Sequence, residues 1–483
     1  MKNHSPLIKL FQTSSQDFYM FDANKNYILS LDVEIYHLLD SILSTENENF
    51  SMAVAALLNS NEKFKAFYSK ALRNGFFRLD RVMTIEHPMA KFLDVVLEHN
   101  IPSICLQVTQ NCNLRCDYCP YTGNYYNNRS HENKRMDFAL AKRGIEYLAK
   151  HSSDVKRVNI AFYGGEPLLE IGLIEECIAY ANRLFAEKSH VFMITTNGTI
   201  MNEKIAKMLV ENDIFVIISL VSLDGPESIH NRSRIFADGS GSFQMIMKNL
   251  QWLRQQEPAY FKTNVSFNTV LTGLDDFSCV DGFFDAEDIF QDSAISTTLF
   301  NDTYTKKAFT RSDTFWEALQ YEQFKYYLNQ LGRIDVSSVI NSNAFTQLSK
   351  TAKMLAPSDH LPRQSHPSGP CIPGAFKLFL NAEGIFYPCE RVNEKSDVSI
   401  IGNIDDGVDP EKCRLLLNIA KLTEKECKDC WAFFYCKMCF VRADEDGQLS
   451  SAKRLASCDL MRSSILEDFR DICVMKKHGY VFL

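Results

Sequence analysis

Three cysteines between Gln110 and Cys119 have the spacing needed for metal chemistry. They are Cys112, Cys116 and Cys119, in the pattern C-x3-C-x2-C. Three thiolates on one loop can bind three irons of a 4Fe–4S cluster and leave the fourth iron without a protein ligand. A structural zinc ion normally takes four ligands, and His131 is the one imidazole nearby. The triplet therefore predicts an iron–sulfur site whose open iron can bind a small molecule directly.

A second group of seven cysteines lies towards the C-terminal end of the sequence. Four of them form the run C-x2-C-x5-C-x2-C. Such repeats occur in zinc ribbons as well as in iron–sulfur proteins, so the spacing alone leaves zinc open as an alternative. The seven are Cys371, Cys389, Cys427, Cys430, Cys436, Cys439 and Cys458.

Composition excludes several other functions. The 483 residues are 46% hydrophobic and 23% charged, close to the average of globular proteins. A net charge of −8 gives no electrostatic reason to expect nucleic acid or an anionic membrane as partner. No apolar run reaches the roughly 20 residues of a membrane span, and residues 1–11 contain no signal-peptide core. We therefore expect a cytoplasmic protein, in which thiols stay reduced and the 15 cysteines are not disulfide-bonded.

The chain is too long for one compact core, and its patterns divide it into four regions. Residues 1–95 combine a predicted hairpin, 17–21 with 27–31, with helical periodicity and a final β-like piece at 76–79, which suggests a winged-helix-like module. Residues 96–335 alternate strands with helices, residues 336–370 are a predicted linker, and residues 371–483 are rich in cysteine. The predicted helices of the module lie near 33–42, 52–58 and 64–72.

The second region is predicted to be α/β. Alternating strands and helices favour a parallel sheet with right-handed crossovers. Six units fall short of the eight of a closed TIM barrel, so we expect a partial (β/α)6 barrel. The predicted strands are 104–108, 158–163, 191–195, 215–223, 264–270 and 294–299. The predicted helices between them are 137–150, 171–186, 203–212 and 243–255, with a further helix at 314–331.

Three polar motifs stand where predicted strands end, which is where a parallel sheet presents its ligands. They are Gly164-Gly165-Glu166-Pro167, then 195–199, and then Ser222 to Pro226 followed by Arg234. Glycine lets a backbone approach a bound group without a Cβ in the way, and a guanidinium suits a carboxylate. A strand-to-helix turn favours Gly and Pro too, and Arg234 as a solvated loop residue is the other interpretation.

Together the triplet and these motifs resemble the radical S-adenosylmethionine (SAM) superfamily. The resemblance implies one 4Fe–4S cluster that cleaves SAM reductively to a 5′-deoxyadenosyl radical, with the electron supplied by an external donor such as flavodoxin or ferredoxin. It also implies that Tyr118 packs against the adenine and that Ser222 and Arg234 contact the carboxylate of SAM. The expected SAM contacts are Tyr118, Gly164, Gly165, Glu166, Pro167, Thr196, Asn197, Ser222 and Arg234.

The C-terminal cysteines resemble those of the SPASM extension of radical SAM enzymes, which binds two auxiliary 4Fe–4S clusters. The last spacing of the run is two residues, where that family usually has three. By this resemblance the first auxiliary cluster lacks an obvious fourth ligand, for which His366 and Ser365 are the nearby candidates. Its ligands would be Cys371, Cys389 and Cys439. The ligands of the second auxiliary cluster would be Cys427, Cys430, Cys436 and Cys458.

The N-terminal module indicates the substrate. Radical SAM–SPASM enzymes with such a module resemble maturases of ribosomally made peptides (RiPPs), in which a recognition element pairs its β-edge with the leader of a precursor peptide. Segments 124–129 and 387–391 are similar to those of maturases that install thioether bridges. Thioether cross-linking of a cysteine-containing precursor peptide is the leading hypothesis. Glu390 is the candidate general base, with an ion pair to Arg391 or another residue as the alternative.

Three other functions stay open at this point. A sulfatase maturase, which forms formylglycine from Cys or Ser, resembles the core and SPASM regions but has Asp where this chain has Glu390. Carbon–carbon or ether cross-linking is a variant on the same peptide class, and the module itself could be a cap without a ligand. A non-catalytic iron–sulfur electron carrier is the alternative of a different class, although such a carrier has no use for the SAM motifs.

Overall fold

The structure of the protein is a computed structural model in which most of the chain is described. No helix within the described ranges is long and apolar enough to cross a membrane. The described residues are 5–44, 50–126, 128–218, 225–274, 277–291, 293–300, 305–306, 312–336, 338–358, 360–367, 369 and 371–482.

The N-terminal module is a three-stranded antiparallel sheet with three helices. The sheet has the order β1-β2-β3, so the predicted hairpin is confirmed and one further strand precedes it. Met20, Leu39 and Phe64 are fully buried in the core of the module. The elements are β1 (Ile8–Gln12), β2 (Phe18–Asp22), β3 (Tyr27–Leu31), α1 (Val33–Ser44), α2 (Phe50–Ser60) and α3 (Glu62–Arg73).

The predicted β-like piece at 76–79 is wrong. Phe77 has a φ of 62°, outside the β region, and its backbone N–H donates to Asp22 Oδ2 at 2.7 Å instead of to a neighbouring strand. Phe76 and Phe77 are buried in the module core. Their apolar side chains, which favoured a strand in the sequence prediction, instead pack into the module core from a loop.

The central region is a parallel sheet of six strands in the order β10-β9-β8-β7-β6-β5. All seven residues of β5 are buried, as expected for a strand covered on both faces. The partial (β/α)6 barrel predicted from the alternation is therefore present. The elements up to its last strand are β4 (Thr84–Ile85), α4 (Leu93–His99), β5 (Ser103–Thr109), α5 (Phe138–Lys150), β6 (Arg157–Gly164), α6 (Ile171–Leu184), β7 (Ser189–Thr196), α7 (Glu203–Glu211), β8 (Phe215–Ile218), α8 (Glu227–Ser233), α9 (Phe243–Gln256), α10 (Pro258–Asn264), β9 (Val265–Leu271), α11 (Phe277–Ala286) and β10 (Ala294–Leu299).

One strand and the predicted linker differ most from the sequence prediction. The strand expected at 215–223 is described only as far as Ile218, because residues 219–224 lie outside the described residues. The predicted linker at 336–370 contains a helix of 16 residues. The Ser338 side chain caps that helix by accepting from the Asn341 N–H at 3.1 Å, a local signal that the sequence prediction overlooked. The two helices here are α12 (Asp313–Gln330) and α13 (Val339–Met354).

The cysteine-rich region extends the same sheet. Strand β12 pairs in parallel with β5, and antiparallel strands continue the order to β13-β14-β15, which makes ten strands in all. Cys389 follows β13, which runs antiparallel to β12, so the hairpin returns it to the level of Cys105 near the start of β5. The elements are β11 (Gln364–Ser365), β12 (Leu378–Leu380), β13 (Ile385–Tyr387), β14 (Gly402–Asn403), β15 (Gly407–Val408), α14 (Pro410–Leu417), α15 (Glu424–Lys428), β16 (Asp444–Glu445), β17 (Gln448–Leu449), α16 (Ser451–Leu455) and α17 (Cys458–Lys477).

The N-terminal module packs against the cysteine-rich region. Phe21 of β2 has its ring centroid 4.8 Å from that of Phe469 on α17 and 5.8 Å from that of Tyr435. It also makes an edge contact with Trp431, which lies between Cys430 and Cys436. These residues form a shared apolar cluster. The module is thus fixed to the cysteine-rich region rather than tethered to it.

We predict that Phe21→Ala destabilises the protein by about 3–5 kcal/mol, because it deletes an aromatic side chain buried between the two regions. Chemical unfolding followed by fluorescence and circular dichroism measures this. Met52→Ala is the matched control, since Met52 is 68% exposed on α2 of the same module and a change of within about 0.5 kcal/mol is expected. Equal effects of the two substitutions would contradict the interface.

Candidate functional site

The cysteine triplet forms a loop directly after β5 and is fixed to the chain around Arg234. The Arg115 N–H donates to the Ile235 carbonyl at 2.8 Å, and the Asp117 N–H donates to the Ser233 carbonyl at 2.9 Å. All three thiols line one cavity of about 380 Å³ at the carboxyl ends of the parallel strands. That volume lies in the range of small-molecule sites. The triplet predicted from its spacing is thus brought to a single site.

The two glycines after β6 allow this loop to pack. A Cβ on Gly164 would lie 2.1 Å from the Thr109 carbonyl oxygen, and one on Gly165 would lie 2.1 Å from that of Asn111. Both distances are far below contact, and the Gly165 N–H donates to Thr109 at 2.9 Å. Both glycines also line the cavity. They are required for the close approach of β6 to the triplet loop, in addition to any role in ligand binding.

Glu166 is fully buried, and its carboxylate accepts hydrogen bonds from other groups of the protein. It accepts from Thr196 Oγ1 and the Asn197 N–H, both at 2.7 Å, and from the Leu168 N–H at 3.0 Å. Burial raises the pKa of Glu166 to about 7, although these hydrogen bonds lower it. Pro167 begins a short 3₁₀ helix. These two residues support the loop after β7 from behind the cavity wall, and their expected contact with SAM stays a prediction.

Thr196 and Asn197 lie on the cavity wall beside the triplet. Asn197 Nδ2 donates to Asn113 Oδ1 at 2.8 Å and lies 3.8 Å from Cys112 Sγ. Asn197 Oδ1 accepts from Thr199 Oγ1 at 2.6 Å, which fixes the orientation of the amide. The loop after β7 and the triplet loop are therefore joined by side chains. Sequence reasoning missed Asn113, whose position inside the C-x3-C spacer was its one signal.

Tyr118 and Arg234 meet on the opposite side of the triplet loop, and both line the cavity. Arg234 is buried, donates through Nε to the Tyr118 hydroxyl, and has its guanidinium carbon 5.2 Å from the centroid of the Tyr118 ring. The two predicted SAM contacts are thus adjacent. Ser222, which is expected to contact the carboxylate of SAM together with Arg234, lies outside the described residues.

The far wall of the cavity comes from the cysteine-rich region and includes Glu390 and Arg391. Lys377 Nζ lies 2.9 Å from both carboxylate oxygens of Glu390, so the expected alternative of an ion pair with Arg391 or another residue is present, with Lys377 as the partner. Lys377 stands just before β12 and gave no sequence signal. The predicted base therefore faces the same cavity as the triplet, with a fixed cation on its other side.

A buried ion pair joins the triplet loop to this wall. Arg129 Nε donates to Glu394 Oε1 at 2.6 Å, and both side chains are 4% exposed. Gln107 Nε2 of β5 lies 2.9 and 3.0 Å from the two Glu394 oxygens, and the Arg129 guanidinium stacks 3.3 Å above the ring of Tyr121. A buried pair with these added hydrogen bonds has a fixed geometry. Glu394 had no motif by which the sequence could reveal it.

Four of the C-terminal cysteines share a second cavity of about 240 Å³, also lined by Met438 and Met461. They are Cys427, Cys430, Cys436 and Cys458. This set is the one expected for the second auxiliary cluster. Four thiols that share one cavity fit a cluster with cysteine ligands, and a metal would hold them as thiolates.

The other three C-terminal cysteines lie near the Glu390 wall. Burial raises the pKa of Cys389 to about 12, and the neighbouring Glu390 and Cys439 raise it further. Burial also raises the pKa of Cys439, and Cys371 adds to that rise. His366 is not a free fourth ligand, because Nδ1 lies 2.9 Å from the Pro367 carbonyl and Nε2 accepts from the Ala420 N–H at 3.2 Å.

Within the described ranges, no three His, Cys, Asp or Glu side chains converge as a single metal ion would need. A 4Fe–4S cube has a different requirement, because each thiolate binds a different iron. The triplet meets that requirement with three thiols on one loop facing one cavity. The residues present therefore fit a cluster with an open iron, and the two close-packed glycines and Arg234 fit a ligand bound to it.

Part of the chain is similar in sequence to a known family and to known enzymes. Residues 106–277 match the radical SAM superfamily, so the chain contains a radical SAM domain. A cysteine-type anaerobic sulfatase-maturating enzyme of Clostridium novyi is 37% identical over 167 residues, 33% of this chain and 42% of that enzyme. The radical SAM cyclopropyl synthase TigE of Paramaledivibacter caminithermalis is 26% identical over 287 residues, 56% of this chain and 57% of that enzyme.

A solved structure, native anSMEcpe with bound AdoMet, has a TM-score of 0.57 to this chain at 24% identity, covering 77% of this chain and 99% of that one. This likeness confirms the predicted fold class. The chain spans about half the length of the curated relatives it matches. These named relatives are enzymes, and they include sulfatase-maturating and cyclopropyl-forming ones.

We predict that Gly165→Ala weakens the site, because the new Cβ meets the Asn111 carbonyl oxygen and forces the triplet loop away from β6. The expected cost is about 1–3 kcal/mol of stability, with loss of iron bound at the triplet. Thermal unfolding and iron analysis measure the two effects. In Gly172→Ala on α6 the added Cβ meets nothing within 4 Å, so that control should keep its iron and melt no lower than the wild type.

We also predict a pH effect from Glu166. Its pKa is raised by folding from an ordinary 4.5 to about 7, so the folded state binds the proton more tightly than the unfolded state. The stability contribution of Glu166 therefore falls as pH rises from about 4.5 to 7 and is constant above that. The difference in melting temperature between wild type and Glu166→Gln should decrease across that window. A difference that is flat with pH would show that Glu166 titrates normally.

Proposed function

We propose that this chain is a radical SAM peptide maturase that forms a thioether cross-link in a cysteine-containing ribosomal precursor peptide. The observation that supports it best is the shared cavity, in which the triplet faces Glu390 and Arg391 of the cysteine-rich region. Cys112, Cys116 and Cys119 would hold the 4Fe–4S cluster. With an electron from an external donor such as flavodoxin or ferredoxin, that cluster would supply the reductive cleavage of SAM to methionine and a 5′-deoxyadenosyl radical, which takes a hydrogen atom from substrate carbon.

The residues around the triplet would orient SAM. Arg234 would bind its carboxylate, because a buried guanidinium prefers an anionic partner. Tyr118 would pack against the adenine, and the backbone after β6 would approach the amine where Gly164 and Gly165 leave room. Asn197, fixed by Thr199, would meet the ribose. Cytoplasmic location, with no nucleic acid and no membrane as partner, belongs to the same proposal.

The N-terminal module would bind the leader of the peptide. Strand β3 is paired with β2 alone among the described strands, so its other edge is available for an added strand. Native anSMEcpe, the fold neighbour, has also been solved with bound AdoMet and Kp18Cys peptide. This supports a peptidic substrate in a cavity of this type.

The cross-link requires a balanced oxidation. A carbon–hydrogen bond and a thiol S–H bond break, and one carbon–sulfur bond forms. One hydrogen atom leaves in 5′-deoxyadenosine, and the thiol hydrogen leaves as a proton with one electron. Glu390 would accept that proton, since it lines the cavity and Lys377 fixes its carboxylate. The two C-terminal cysteine sets, loaded with auxiliary 4Fe–4S clusters, would supply the electron acceptor.

Formylglycine formation is the second candidate. The sequence similarity to the Clostridium novyi sulfatase-maturating enzyme and the match to 99% of anSMEcpe favour it. A carboxylate next to a C-terminal cysteine ligand serves either reaction as a base. The two candidates differ in the fate of sulfur, which a thioether keeps and formylglycine loses.

The first test is reductive SAM cleavage by anaerobically reconstituted protein. We predict about twelve irons per chain, falling to about eight with loss of 5′-deoxyadenosine when Cys112, Cys116 and Cys119 are all replaced by Ala. Cys279→Ala, at an exposed cysteine outside both sets, is the matched control and should change neither value. Zinc at the triplet, or no 5′-deoxyadenosine from the wild type, would refute the proposal.

Mass spectrometry of cysteine-containing precursor peptides encoded near this gene then separates the two candidates. A thioether product loses two hydrogens, keeps its sulfur and no longer reacts with iodoacetamide. A formylglycine product loses sulfur and reacts with hydrazines as an aldehyde. An aldehyde product would exclude cross-linking.

A further inference from the structure

A buried arginine next to the second C-terminal cysteine set has no partner for most of its charge. Arg454 is 0% exposed, although arginine is almost never fully buried without a partner. Its Nε donates to Thr423 Oγ1 at 3.1 Å, while Nη1 and Nη2 make no hydrogen bond within the described part of the chain. An unpaired buried guanidinium is costly. The guanidinium therefore requires an anionic partner.

The surroundings of Arg454 identify where that anion belongs. Thr423 Oγ1, its one side-chain partner, lies 3.3 Å from Cys427 Sγ. The Arg454 carbonyl oxygen lies 4.0 Å from Cys458 Sγ, one helical turn further along the chain. No Asp or Glu among the described residues forms an ion pair with it. The guanidinium is thus adjacent to the cysteines that line the 240 Å³ cavity.

Arg454 differs from the other arginine at this cavity. Arg462 is 38% exposed and pairs with Asp459 at 2.6 Å, so its charge is already compensated by a carboxylate and by water. Both arginines act on the thiols, but Arg454 does so without a carboxylate partner. Burial raises the pKa of Cys436 to about 11, and Arg454 opposes that rise. Burial raises the pKa of Cys458 as well, and Arg462 and, less strongly, Arg454 lower it.

We propose that Arg454 is the counter-cation of the second auxiliary cluster, and that its two free guanidinium nitrogens donate hydrogen bonds to sulfur of that cluster. The inference rests on the proposed assignment of a 4Fe–4S cluster to Cys427, Cys430, Cys436 and Cys458. Four thiolates give such a cluster a net negative charge, which compensates the buried cation. Hydrogen bonds and charge at the sulfurs set the reduction potential, so Arg454 raises it.

The proposal predicts opposite effects on loaded and empty protein. With the cluster bound, Arg454 stabilises it, so removing the charge should cost iron or lower the potential. Without the cluster, Arg454 is an uncompensated buried charge, and replacing it by an apolar side chain of similar length should not destabilise the chain. An arginine that merely fills space would destabilise both forms equally when replaced.

The test uses the full chain with Cys112, Cys116 and Cys119 replaced by Ala, so that the auxiliary clusters alone remain. This parent should bind about eight irons. Arg454→Met should either bind only about four irons or keep its iron at a lower reduction potential. The expected decrease is at least about 59 mV, which is a tenfold change in the equilibrium constant of a one-electron reduction. Arg454→Lys, which keeps the charge, should retain the iron. Potentials are read by EPR-monitored titration, and iron-free melting temperatures by circular dichroism.

Arg414→Met is the matched control, because Arg414 pairs with Asp94 and Glu411 away from both cysteine sets, and it should leave iron and potential unchanged. Eight irons at the parental potential in Arg454→Met would overturn the role of Arg454, as would equal destabilisation of iron-free and loaded protein. A parent that binds about four irons or fewer, or zinc, would overturn the assignment of the second cluster itself. That outcome is distinguished from a failure of the Arg454 proposal because it is seen in the parent, before Arg454 is changed.

Discussion

Strand β5 is the element on which the rest of the structure depends. It pairs in parallel on both edges, with β6 on one side and β12 on the other, and all its residues are buried. Helix α5 crosses these strands at Gly144, where a Cβ would lie 2.7 Å from Leu380 of β12. Because the triplet loop leaves the end of β5, its cysteines are placed between the barrel and the cysteine-rich region.

This double pairing explains how distant parts of the sequence build one cavity. The edge shared with β6 aligns Gly164 and Gly165 with the triplet loop, and the edge shared with β12 brings the segment after Cys389 to the other wall. The Arg129–Glu394 ion pair, supported by Gln107 of β5, closes the contact between them. The triplet and Glu390 therefore lie on two walls of the same cavity.

The strands, helices and cysteine sets could be predicted because their signals are local. Hydrophobic runs predicted the six parallel strands to within a few residues, and thiol spacing predicted the triplet site. The resemblance to the SPASM extension predicted the four cysteines that line the second cavity. Long-range polar pairs gave no such signal: Lys377 with Glu390 and Arg129 with Glu394 depend on which strand neighbours β5. The burial of Arg454 was equally invisible, since an arginine in a polar helix is normally solvated. At 76–79 the prediction of a β-like piece was wrong, because Phe76 and Phe77 are buried from a loop.

The packing of the N-terminal module also affects how the chain is made. The Arg470 side chain on α17 donates a hydrogen bond to the Gln12 carbonyl, and the two residues are 458 positions apart in the chain. Phe21 contacts Phe469 in the same region. During translation the apolar face formed by Leu7, Phe11 and Phe21 is synthesised long before α17 can cover it. At ordinary elongation rates of about 5–20 residues per second, that face stays uncovered for tens of seconds. The nascent chain is therefore a natural client for a chaperone until its last helix emerges.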